Sequence, residues 1–303
     1  MNYEGILREL VKNDDRFLVV TAENRAAIRN LPNEIGDRFI DTGITEMTMI
    51  GMSAGLALRG RIPVAHALAT FITMRAFEFI RSDVGIGNLP VKMVGGVPGF
   101  LSEANGPTHQ AIEDIAIMRG IPNVNVYCPA DEEDMLIGIR KVLESPSPFY
   151  IRYNNLPAAV KHSEDFEIGK AEIVSEGDDI TILVYGMLLR QAIEAKDILE
   201  EKGHSVRIVN LRTVKPIDEN VIVESAKKSK LLVTLEDHFL TGGLYSITGE
   251  IFLKNNLSAR VLPFALKERW FKPALLNDVL EYEGFTGERI AEKINMELGT
   301  SSR

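Results

Sequence analysis

The chain has 303 residues, 45% hydrophobic and 25% charged, which is the balance of a soluble globular protein and enough length for two domains. Its formal net charge of -9 argues against a surface that binds nucleic acid or an acidic membrane, where clustered Lys and Arg are expected. The single cysteine, Cys128, excludes a disulfide framework within the chain and fits a reducing compartment.

Two further patterns concern the location of the protein. Residues 1–4 lack the basic and then apolar pattern of a secretory signal. No apolar run in the sequence approaches the roughly 18 residues that a membrane span needs. We therefore expect a cytoplasmic protein with neither a membrane nor a nucleic-acid partner.

In the first half of the sequence, short apolar runs alternate with longer stretches of helical period. The predicted strands are 17–21, 39–41, 62–67, 91–97, 124–128 and 149–153, and the predicted helices are 3–12, 47–59, 72–86, 112–118 and 132–144. This alternation is typical of βαβ units that build a parallel sheet.

The pattern breaks between 154 and 179, where Pro157, a polar run and a Gly-Asp-Asp turn indicate a connection between domains. A second series follows, with predicted strands 180–185, 206–210, 230–235 and 260–263 and predicted helices 189–201, 219–228 and 244–254. The sequence thus predicts an α/β fold of two domains, 1–160 and 170–303, each a parallel-rich sheet flanked by helices.

An acidic residue follows the second predicted strand. The segment 41–46 reads DTGITE and enters a helix rich in small residues, which permit close packing at a subunit interface or around a cofactor. Open α/β sheets bind ligands beyond the carboxyl ends of their strands, and Glu46 is expected there. A carboxyl group at that place could exchange a proton with a ring nitrogen, although the helix dipole alone also favours an acid in a first turn.

The third predicted strand leads into an aromatic and basic helix. Phe71, Met74 and Glu78 are spaced by three and four residues, so they share a face if the helix begins near Thr70. At the strand-to-helix turn, Phe71 could stack on a flat heteroaromatic ring. Periodicity alone favours a stripe of core residues, with Arg75 in a surface salt bridge.

A loop rich in glycine and proline follows the fourth predicted strand, and its segment 106–110 reads GPTHQ. A loop of this composition is placed to meet a ligand, and His109 is the natural proton carrier near neutral pH. A lone loop histidine is more often solvated or a helix cap. The combination and order of the three candidate residues are more informative than the histidine alone. Glu46, Phe71 and His109 follow three successive strands and would lie at one edge of a parallel sheet.

As an ordered set, these segments resemble the transketolase family, in the C-terminal half of its split form, where two genes encode the two halves. The resemblance covers nearly the whole chain and is carried by 41–46 (DTGITE), 69–78 (ATFITMRAFE), 106–110 (GPTHQ), 128–131 (CPAD), 149–152 (FYIR), 236–238 (EDH) and 242–243 (GG). It implies a pyrimidine-binding domain followed by a small C-terminal domain that serves packing and dimerisation.

The resemblance also implies a cofactor, thiamine diphosphate. Glu46 is similar to the glutamate that bonds the aminopyrimidine ring and helps the thiazolium carbon to lose its proton. Phe71 is similar to the aromatic residue that stacks on the pyrimidine. The remaining residues expected to bind the cofactor are Ile44, Met74 and Arg75.

The reaction implied by the resemblance is transfer of a two-carbon ketol unit from a ketose donor to an aldehyde acceptor. His109 is similar to a histidine that contacts the substrate and helps to move protons. The cofactor performs the difficult chemistry, and the protein supplies position and electrostatics.

The diphosphate end of the cofactor has no counterpart in this sequence. The other half of the family's enzymes holds Mg²⁺ and diphosphate through a Gly-Asp-Gly segment and a downstream Asn, and no Gly-Asp-Gly occurs here. We therefore expect no metal ligand in this chain and an obligate complex with a larger N-terminal transketolase-like subunit. The expected assembly is a heterotetramer with two copies of each subunit, in which this chain associates with itself through both domains.

The residues expected to face the substrate depart from the family's pattern. Ordinary transketolases grip sugar phosphates with basic residues, and losing a charge-assisted phosphate contact costs about 1.5–3 kcal/mol. We therefore expect an acceptor other than an ordinary sugar phosphate: an unphosphorylated, sulfonated, nucleotide-linked or otherwise modified sugar, or a carrier-bound acyl group. The departures are Val97 for a usual His, Asn155 for an Arg, Asn105 for an Asp, Ala27 for a Ser, and His66 for a Ser of the usual Pro-Phe-Ala-Ser-Thr-Phe stretch.

Two other interpretations stay open. One is a different thiamine enzyme, either a protein like deoxyxylulose-phosphate synthase or the beta subunit of a 2-oxoacid dehydrogenase, although the histidine context of the latter differs from GPTHQ. Those enzymes release CO₂ from a 2-oxoacid donor. The other is a structural subunit without catalysis, against which the joint presence of Glu46, Phe71 and His109 argues.

Overall fold

The computed structural model describes residues 1–270 and 272–299. Its strands are β1 (Phe17–Thr21), β2 (Phe39–Asp41), β3 (Ile62–Leu68), β4 (Lys92–Gly96), β5 (Asn125–Tyr127), β6 (Phe149–Arg152), β7 (Glu172–Ser175), β8 (Ile180–Val184), β9 (Val206–Asn210), β10 (Thr213–Lys215), β11 (Leu231–Phe239) and β12 (Val261–Leu266). Its α-helices are α1 (Tyr3–Asn13), α2 (Pro32–Ile35), α3 (Glu46–Leu58), α4 (Phe77–Phe79), α5 (Asp114–Arg119), α6 (Glu132–Glu144), α7 (Leu189–Glu201), α8 (Glu219–Lys228), α9 (Leu244–Lys254), α10 (Leu276–Glu283) and α11 (Gly287–Gly299).

Two sheets organise the described residues. The first has the spatial order β10, β5, β6, β4, β3, β1, β2, in which β1 to β6 run parallel and β10 is antiparallel to β5. The second has the order β12, β11, β8, β9, β7 and is parallel except for β7, which is antiparallel to β9. Helices flank both sheets, so the predicted α/β fold with two parallel-rich sheets is confirmed.

Several elements differ from the prediction for local reasons. Strand β7 lies inside the predicted connection, and β10 has only three residues, too few to show an alternating pattern. The single helix predicted at 72–86 is divided, because the segments Phe71–Arg75 and Ile80–Gly85 on either side of α4 are π-helical. The boundary between the predicted domains stays a prediction, since β10 belongs to the second half of the chain but completes the first sheet.

Helix α6 begins as its sequence predicts. The side chain of Asp131 caps it, because its Oδ1 accepts a hydrogen bond from the backbone N–H of Asp134 at 3.1 Å. Glu132, Glu133 and Asp134 fill the first turn, where the helix dipole favours acids.

The hydrophobic core continues from one sheet to the other. One buried cluster combines Val126 and Tyr150 of the first sheet with Leu183 and Leu211 of the second half. Burial of apolar surface across this boundary stabilises the arrangement of the two sheets. Within the described residues, no helix is both long enough and apolar enough to cross a bilayer.

A buried ionic network also links the two halves. His162 bonds Asp131 through Nε2 at 2.9 Å and Glu172 through Nδ1 at 2.7 Å. Burial alone would lower the pKa of His162, but hydrogen bonds to these two carboxylates outweigh burial and raise it to about 10. Arg212 pairs with Asp134 at 2.6 Å and with Glu172 at 3.1 Å.

The same network contains a possible set of metal ligands. The side chains of Asp134, His162 and Glu172 bring their ligand atoms within 4.8 Å of one another. Because Arg212 already pairs with both carboxylates, and the two nitrogens of His162 are both bonded, we interpret the cluster as an ionic link between the halves of the chain.

Candidate active site

Glu46 lies at the carboxyl edge of the first sheet, as its place after β2 predicts. Strand β2 ends at Asp41, whose Oδ1 accepts a hydrogen bond from the backbone N–H of Gly43 at 2.9 Å. Gly43 has a φ of +69°, which glycine adopts without a steric cost, and the chain turns there into α3. Glu46 is the first residue of that helix and is only 2% exposed, whereas Ile44 in the turn is 65% exposed.

A π-helical turn after β3 carries the next three candidate residues, Phe71, Met74 and Arg75. Such turns are rare and frequently occur at functional sites. Arg75 donates a hydrogen bond from Nη1 to Oε2 of Glu46 at 2.7 Å. Its Cζ also lies 4.4 Å from the centre of the Phe71 ring, so this guanidinium joins the carboxylate to the aromatic face.

His109 completes this group of side chains. Its ring centre lies 5.2 Å from that of Phe71, with the two planes inclined at 67°. Its Nδ1 is 2.9 Å from Oγ1 of Thr108, and its backbone N–H donates to the carbonyl of Gly106 at 2.9 Å. The structure therefore brings Glu46, Phe71 and His109 together at one sheet edge, with Arg75 between the first two.

A cavity of about 310 Å³ is lined by residues at the carboxyl ends of β3 and β4 and by the first part of the loop that leads from β4 to His109. Three residues expected to face the substrate, His66, Val97 and Asn155, line it together with Ala27. The other lining residues are Asn24, Ala26, Ala67, Leu68, Val94, Gly96, Leu101, Glu103, Tyr153, Leu156 and Leu276. Four of the five positions that depart from the family's pattern therefore share one cavity.

The cavity has mostly apolar walls and an acidic residue. Its polar side chains include the amides of Asn24 and Asn155, the phenol of Tyr153 and the exposed carboxylate of Glu103. No Lys or Arg is found among its described lining residues. A carboxylate without a nearby cation repels an anionic group, so this lining suits an uncharged ligand better than a phosphate.

Two lining residues have strained backbones. Val97 has a φ of +47° and Glu103 a φ of +45°, a region that favours glycine. For a β-branched residue such as Val97 this conformation is a genuine outlier, with a cost of about 1–3 kcal/mol. Strain of this kind is concentrated at functional sites, where the surrounding structure enforces it.

His66 lines the cavity but directs its polar atoms into the core. Its Nε2 lies 2.9 Å from the hydroxyl of Tyr3, and its Nδ1 is buried without a hydrogen-bond partner among the described residues. Burial lowers the pKa of His66 to about 4, so the ring is neutral near pH 7. It therefore offers the cavity ring surface and no charge.

Asn105 lies apart from the cavity. Its side chain is exposed and turns back onto its own loop, where Nδ2 donates to the carbonyl of Ser102 at 3.0 Å. The residues expected to face the substrate thus fall into three places: His109 beside Phe71, Asn105 on the loop surface, and the remainder around the cavity.

Most of the lining residues were absent from the predicted site, and two of them, Tyr153 and Leu276, show why. Tyr153 follows directly after β6, so the rule that ligands bind beyond the carboxyl ends of strands could have found it. Leu276 begins α10 in the second half of the chain, and only the packing of that half against the first sheet brings it to the cavity. The resemblance gave the C-terminal domain no part at the site.

Both halves of the chain match known domain families. Residues 2–157 match the family described as Transketolase, pyrimidine binding domain, and residues 169–290 match the family described as Transketolase, C-terminal domain. The putative transketolase C-terminal section of Methanocaldococcus jannaschii is 36% identical over 303 residues, covering 98% of this chain and 95% of the relative. The 6-deoxy-6-sulfo-D-fructose transketolase subunit SqwH of Clostridium sp. (strain MSTE9) is 37% identical over 257 residues, covering 84% and 80%.

A longer relative and a solved structure complete the comparison. The 1-deoxy-D-xylulose-5-phosphate synthase of Dictyoglomus thermophilum is 36% identical over 262 residues, but those residues are 85% of this chain and 42% of the relative. A split-gene transketolase, solved as an inactive beta4 tetramer, matches with a TM-score of 0.86 and 32% identity, covering 97% of this chain and 96% of that one.

The fold and these matches place the chain in a family of thiamine-diphosphate enzymes, with the pyrimidine-binding and C-terminal domains of that family. The chain belongs to the transketolase family, as the resemblance of its motifs predicts.

Proposed function

We propose that this chain is the small subunit of a two-component transketolase, which moves a two-carbon ketol unit from a ketose donor to an aldehyde acceptor. The observation that supports it best is the contact between Glu46, Arg75, Phe71 and His109 at the carboxyl edge of the first sheet. This group combines a buried carboxylate, an aromatic face and a proton carrier within a few ångströms, which are the parts that a subunit facing thiamine must supply.

The residues present fit the aminopyrimidine end of thiamine diphosphate. In the described part of the chain, the only hydrogen bond to the Glu46 carboxylate comes from Arg75. The other oxygen can therefore exchange a proton with a ring nitrogen, while Phe71 offers a partly exposed ring face for stacking. The chemistry that thiamine diphosphate supplies when bound is a nucleophilic carbon for the ketose carbonyl.

Arg75 holds the two groups that the pyrimidine ring would contact. Its side chain is 38% exposed, compared with 2% for Glu46, so it can move aside without unpacking the core. Ile44 lies in the turn before α3, and Met74 lies in the π-helical turn. We assign to them the apolar contacts with the ring.

The larger partner would hold Mg²⁺ and the diphosphate, because this sequence lacks the Gly-Asp-Gly segment. The surface near Glu46 supports a protein partner. Ile44 is 65% exposed and Met47 43% exposed at the start of α3, and Leu58 at its end is 73% exposed. Exposed apolar side chains at both ends of one helix are candidates for contact with another protein. We assign α3 to contacts within an assembly of two copies of each subunit.

His109 would carry a proton to or from the substrate oxygen, since it lies against Phe71 at the edge of the cofactor site. The far end of the acceptor would enter the cavity that Val97, Asn155 and His66 line, with Asn105 on the adjoining loop. Because Glu103 brings a negative charge to that cavity, the lining favours the uncharged members of the acceptor set expected from the sequence.

The test is a reconstituted reaction. The chain is mixed with a subunit that carries Gly-Asp-Gly, with thiamine diphosphate, Mg²⁺ and a ketose donor, and products are identified by mass. We expect ketol transfer, with a higher kcat/KM for D-ribose than for D-ribose 5-phosphate. Transfer to ribose 5-phosphate at ordinary transketolase rates would contradict the acceptor class, and the absence of transfer to any aldehyde would contradict the function.

The 36% identity to a deoxyxylulose-phosphate synthase supports a second candidate, in which the donor is a 2-oxoacid. That enzyme class releases CO₂ as it forms the new carbon–carbon bond, whereas ketol transfer from a ketose releases none. Trapping CO₂ during the reconstituted reaction with pyruvate separates the two, and we expect no release.

A further inference from the structure

We propose that Asp237 of the C-terminal domain is a positioning residue for the His109 loop, defined as residues 97–113, and that it acts through Arg152 and Gly99. This inference rests on the proposed function. It gives the second domain a direct part in shaping the acceptor end of the site.

The first observation is a buried bridge across the base of the His109 loop. Arg152 at the end of β6 is buried, and its Nε donates to Oδ2 of Asp114 at 2.9 Å, directly after the loop. Its Nη1 donates to Oδ1 of Asp237 in β11 at 2.7 Å. The hydroxyl of Tyr150 also bonds Oδ2 of Asp114, at 2.6 Å. One guanidinium therefore connects the loop, the first sheet and the second domain.

The second observation is the close approach of Asp237 to the loop backbone. Gly99 has a φ of +56°, and a Cβ atom at this position would collide with the Asp237 carboxylate. The backbone N–H of Gly99 donates to the carbonyl of Ala111 at 2.9 Å, which closes the base of the loop. Arg152 reaches the same carbonyl at 3.4 Å. The carboxylate of Asp237 thus packs directly on the closed loop base.

Further contacts from the second domain reach the rest of the loop. The rings of Phe100 and Phe285 lie 5.3 Å apart, and a Cβ on Gly106 would come within 2.7 Å of Cγ of Pro273. The backbone N–H of Phe239 donates to the carbonyl of Ile112 at 2.9 Å. The loop is therefore held at its beginning, middle and end by residues that follow the connection between the domains.

These contacts matter because of what the loop carries. It contains His109, and it contains Val97 and Glu103, whose strained backbones must be enforced by their surroundings. The cofactor residues Glu46 and Phe71 lie outside the loop, on α3 and on the turn after β3. Loss of the Asp237 charge would leave the buried Arg152 with a single carboxylate, and the loop base would rearrange around it. Binding of the acceptor should then weaken, whereas binding of the cofactor should not change.

The experiment compares Asp237→Asn with Glu236→Gln in the reconstituted complex. Glu236 is the preceding residue of β11, also buried, but its carboxylate accepts from the backbone N–H of Leu244 and Tyr245 at the start of α9. For Asp237→Asn we expect the KM of the aldehyde acceptor to rise about ten- to a hundredfold, because small displacements at a reacting site are costly. The affinity for thiamine diphosphate should stay within about twofold of wild type. Glu236→Gln should change neither quantity.

Hydrogen exchange gives a second readout that needs no activity. In Asp237→Asn the backbone amides of Gly99 and Phe239 should exchange faster than in wild type, and those of α3 should not. If Asp237→Asn fails to fold, Phe285→Leu loosens the same loop through Phe100, and we expect the same changes on a smaller scale.

Unchanged acceptor KM and unchanged loop exchange in Asp237→Asn, or in Phe285→Leu where the first variant does not fold, would overturn the inference. If the wild-type complex shows no ketol transfer, the proposed function fails, and the hydrogen-exchange comparison still decides whether Asp237 holds the loop.

Discussion

The two ends of the candidate site are built in different ways. At the cofactor end, Glu46, Arg75 and Phe71 are joined by an ion pair and a cation–π contact, on a helix start and a π-helical turn of one domain. At the acceptor end, an apolar cavity with one carboxylate is lined by strands β3 and β4, by loops and by Leu276 of the second domain. The first end depends on paired polar groups, and the second on shape and backbone strain.

On this account, the cofactor end supplies the groups that the reaction needs, and the cavity determines which acceptor binds. Changes at the cofactor end should abolish the reaction with every substrate. Changes at the cavity should alter preference among acceptors and leave the cofactor bound. The predictions below test that separation, beginning with the largest effect.

The largest effect is expected for Glu46→Gln. An amide cannot exchange a proton with the pyrimidine ring, so kcat of the reconstituted complex should fall about 100- to 10,000-fold with every acceptor. Steady-state kinetics with two acceptors measures this. The control is Glu78→Gln, an exposed glutamate that bonds only Ser82 in the described structure. Full activity of Glu46→Gln would favour the structural-subunit interpretation.

A smaller effect is expected for Phe71→Leu. The substitution keeps most of the apolar surface but removes the flat ring, whose stacking contributes about 0.5–1.5 kcal/mol. The Kd of thiamine diphosphate should therefore rise about two- to tenfold, as measured by calorimetric titration of the complex. Phe166→Leu, in the core beside Tyr127, controls for general loosening. An unchanged Kd in Phe71→Leu would mean that the ring does not contact the cofactor.

At the acceptor end, a gain of function is expected for Asn155→Arg. A cation at this exposed lining position offers a charge-assisted hydrogen bond to a phosphate, and kcat/KM for D-ribose 5-phosphate should rise about tenfold. The value for D-ribose should stay the same, and Asn155→Gln serves as the uncharged control. Equal gains for both sugars, or none, would show that this cavity does not receive the end of the acceptor that carries phosphate.

The ionic network at His162 should affect stability rather than catalysis. The pKa of His162 is raised from the ordinary 6.5 to about 10, so its contribution is complete below pH 6.5 and is lost as the pH rises through 10. It should be of the order of 2 kcal/mol, after allowance for partial solvent screening. Urea unfolding of wild type and His162→Asn at pH 6.5 and 9.5 measures it. The free energy of unfolding should fall more between these two pH values in wild type than in His162→Asn, and parallel changes would contradict the assignment.

The sequence predicted the grouping of Glu46, Phe71 and His109 at one sheet edge, but not the arrangement of the cavity, for a physical reason. Glu46, Phe71 and His109 each follow a strand, and parallel strands bring their carboxyl ends to one edge whatever the details of packing. The π-helical form of Phe71–Arg75 was not predicted, because one extra residue in a turn leaves the apolar spacing nearly unchanged. The ion pair between Arg75 and Glu46 likewise depends on two elements that are distant in sequence.

The acceptor end depends on contacts that no local pattern encodes. Leu276, Asp237 and Pro273 reach the site from the second domain, and their sequence context is that of ordinary turns and helix starts. The positive φ of Val97 could not be read from its residue type, since a β-branched side chain argues against that conformation. The direction in which His66 points its Nε2 could not be predicted either, because it depends on a contact with Tyr3 of α1, which is distant in the sequence.

The central claim is that this chain supplies one end of a shared thiamine site, and cofactor binding tests it most directly. Thiamine diphosphate with Mg²⁺ is titrated into the chain alone, into the partner that carries Gly-Asp-Gly, and into the mixture of the two. We predict tight binding and ketol transfer only for the mixture, and weakened binding when the mixture contains Glu46→Gln. Tight binding and turnover of a ketose by the purified chain alone would contradict the account.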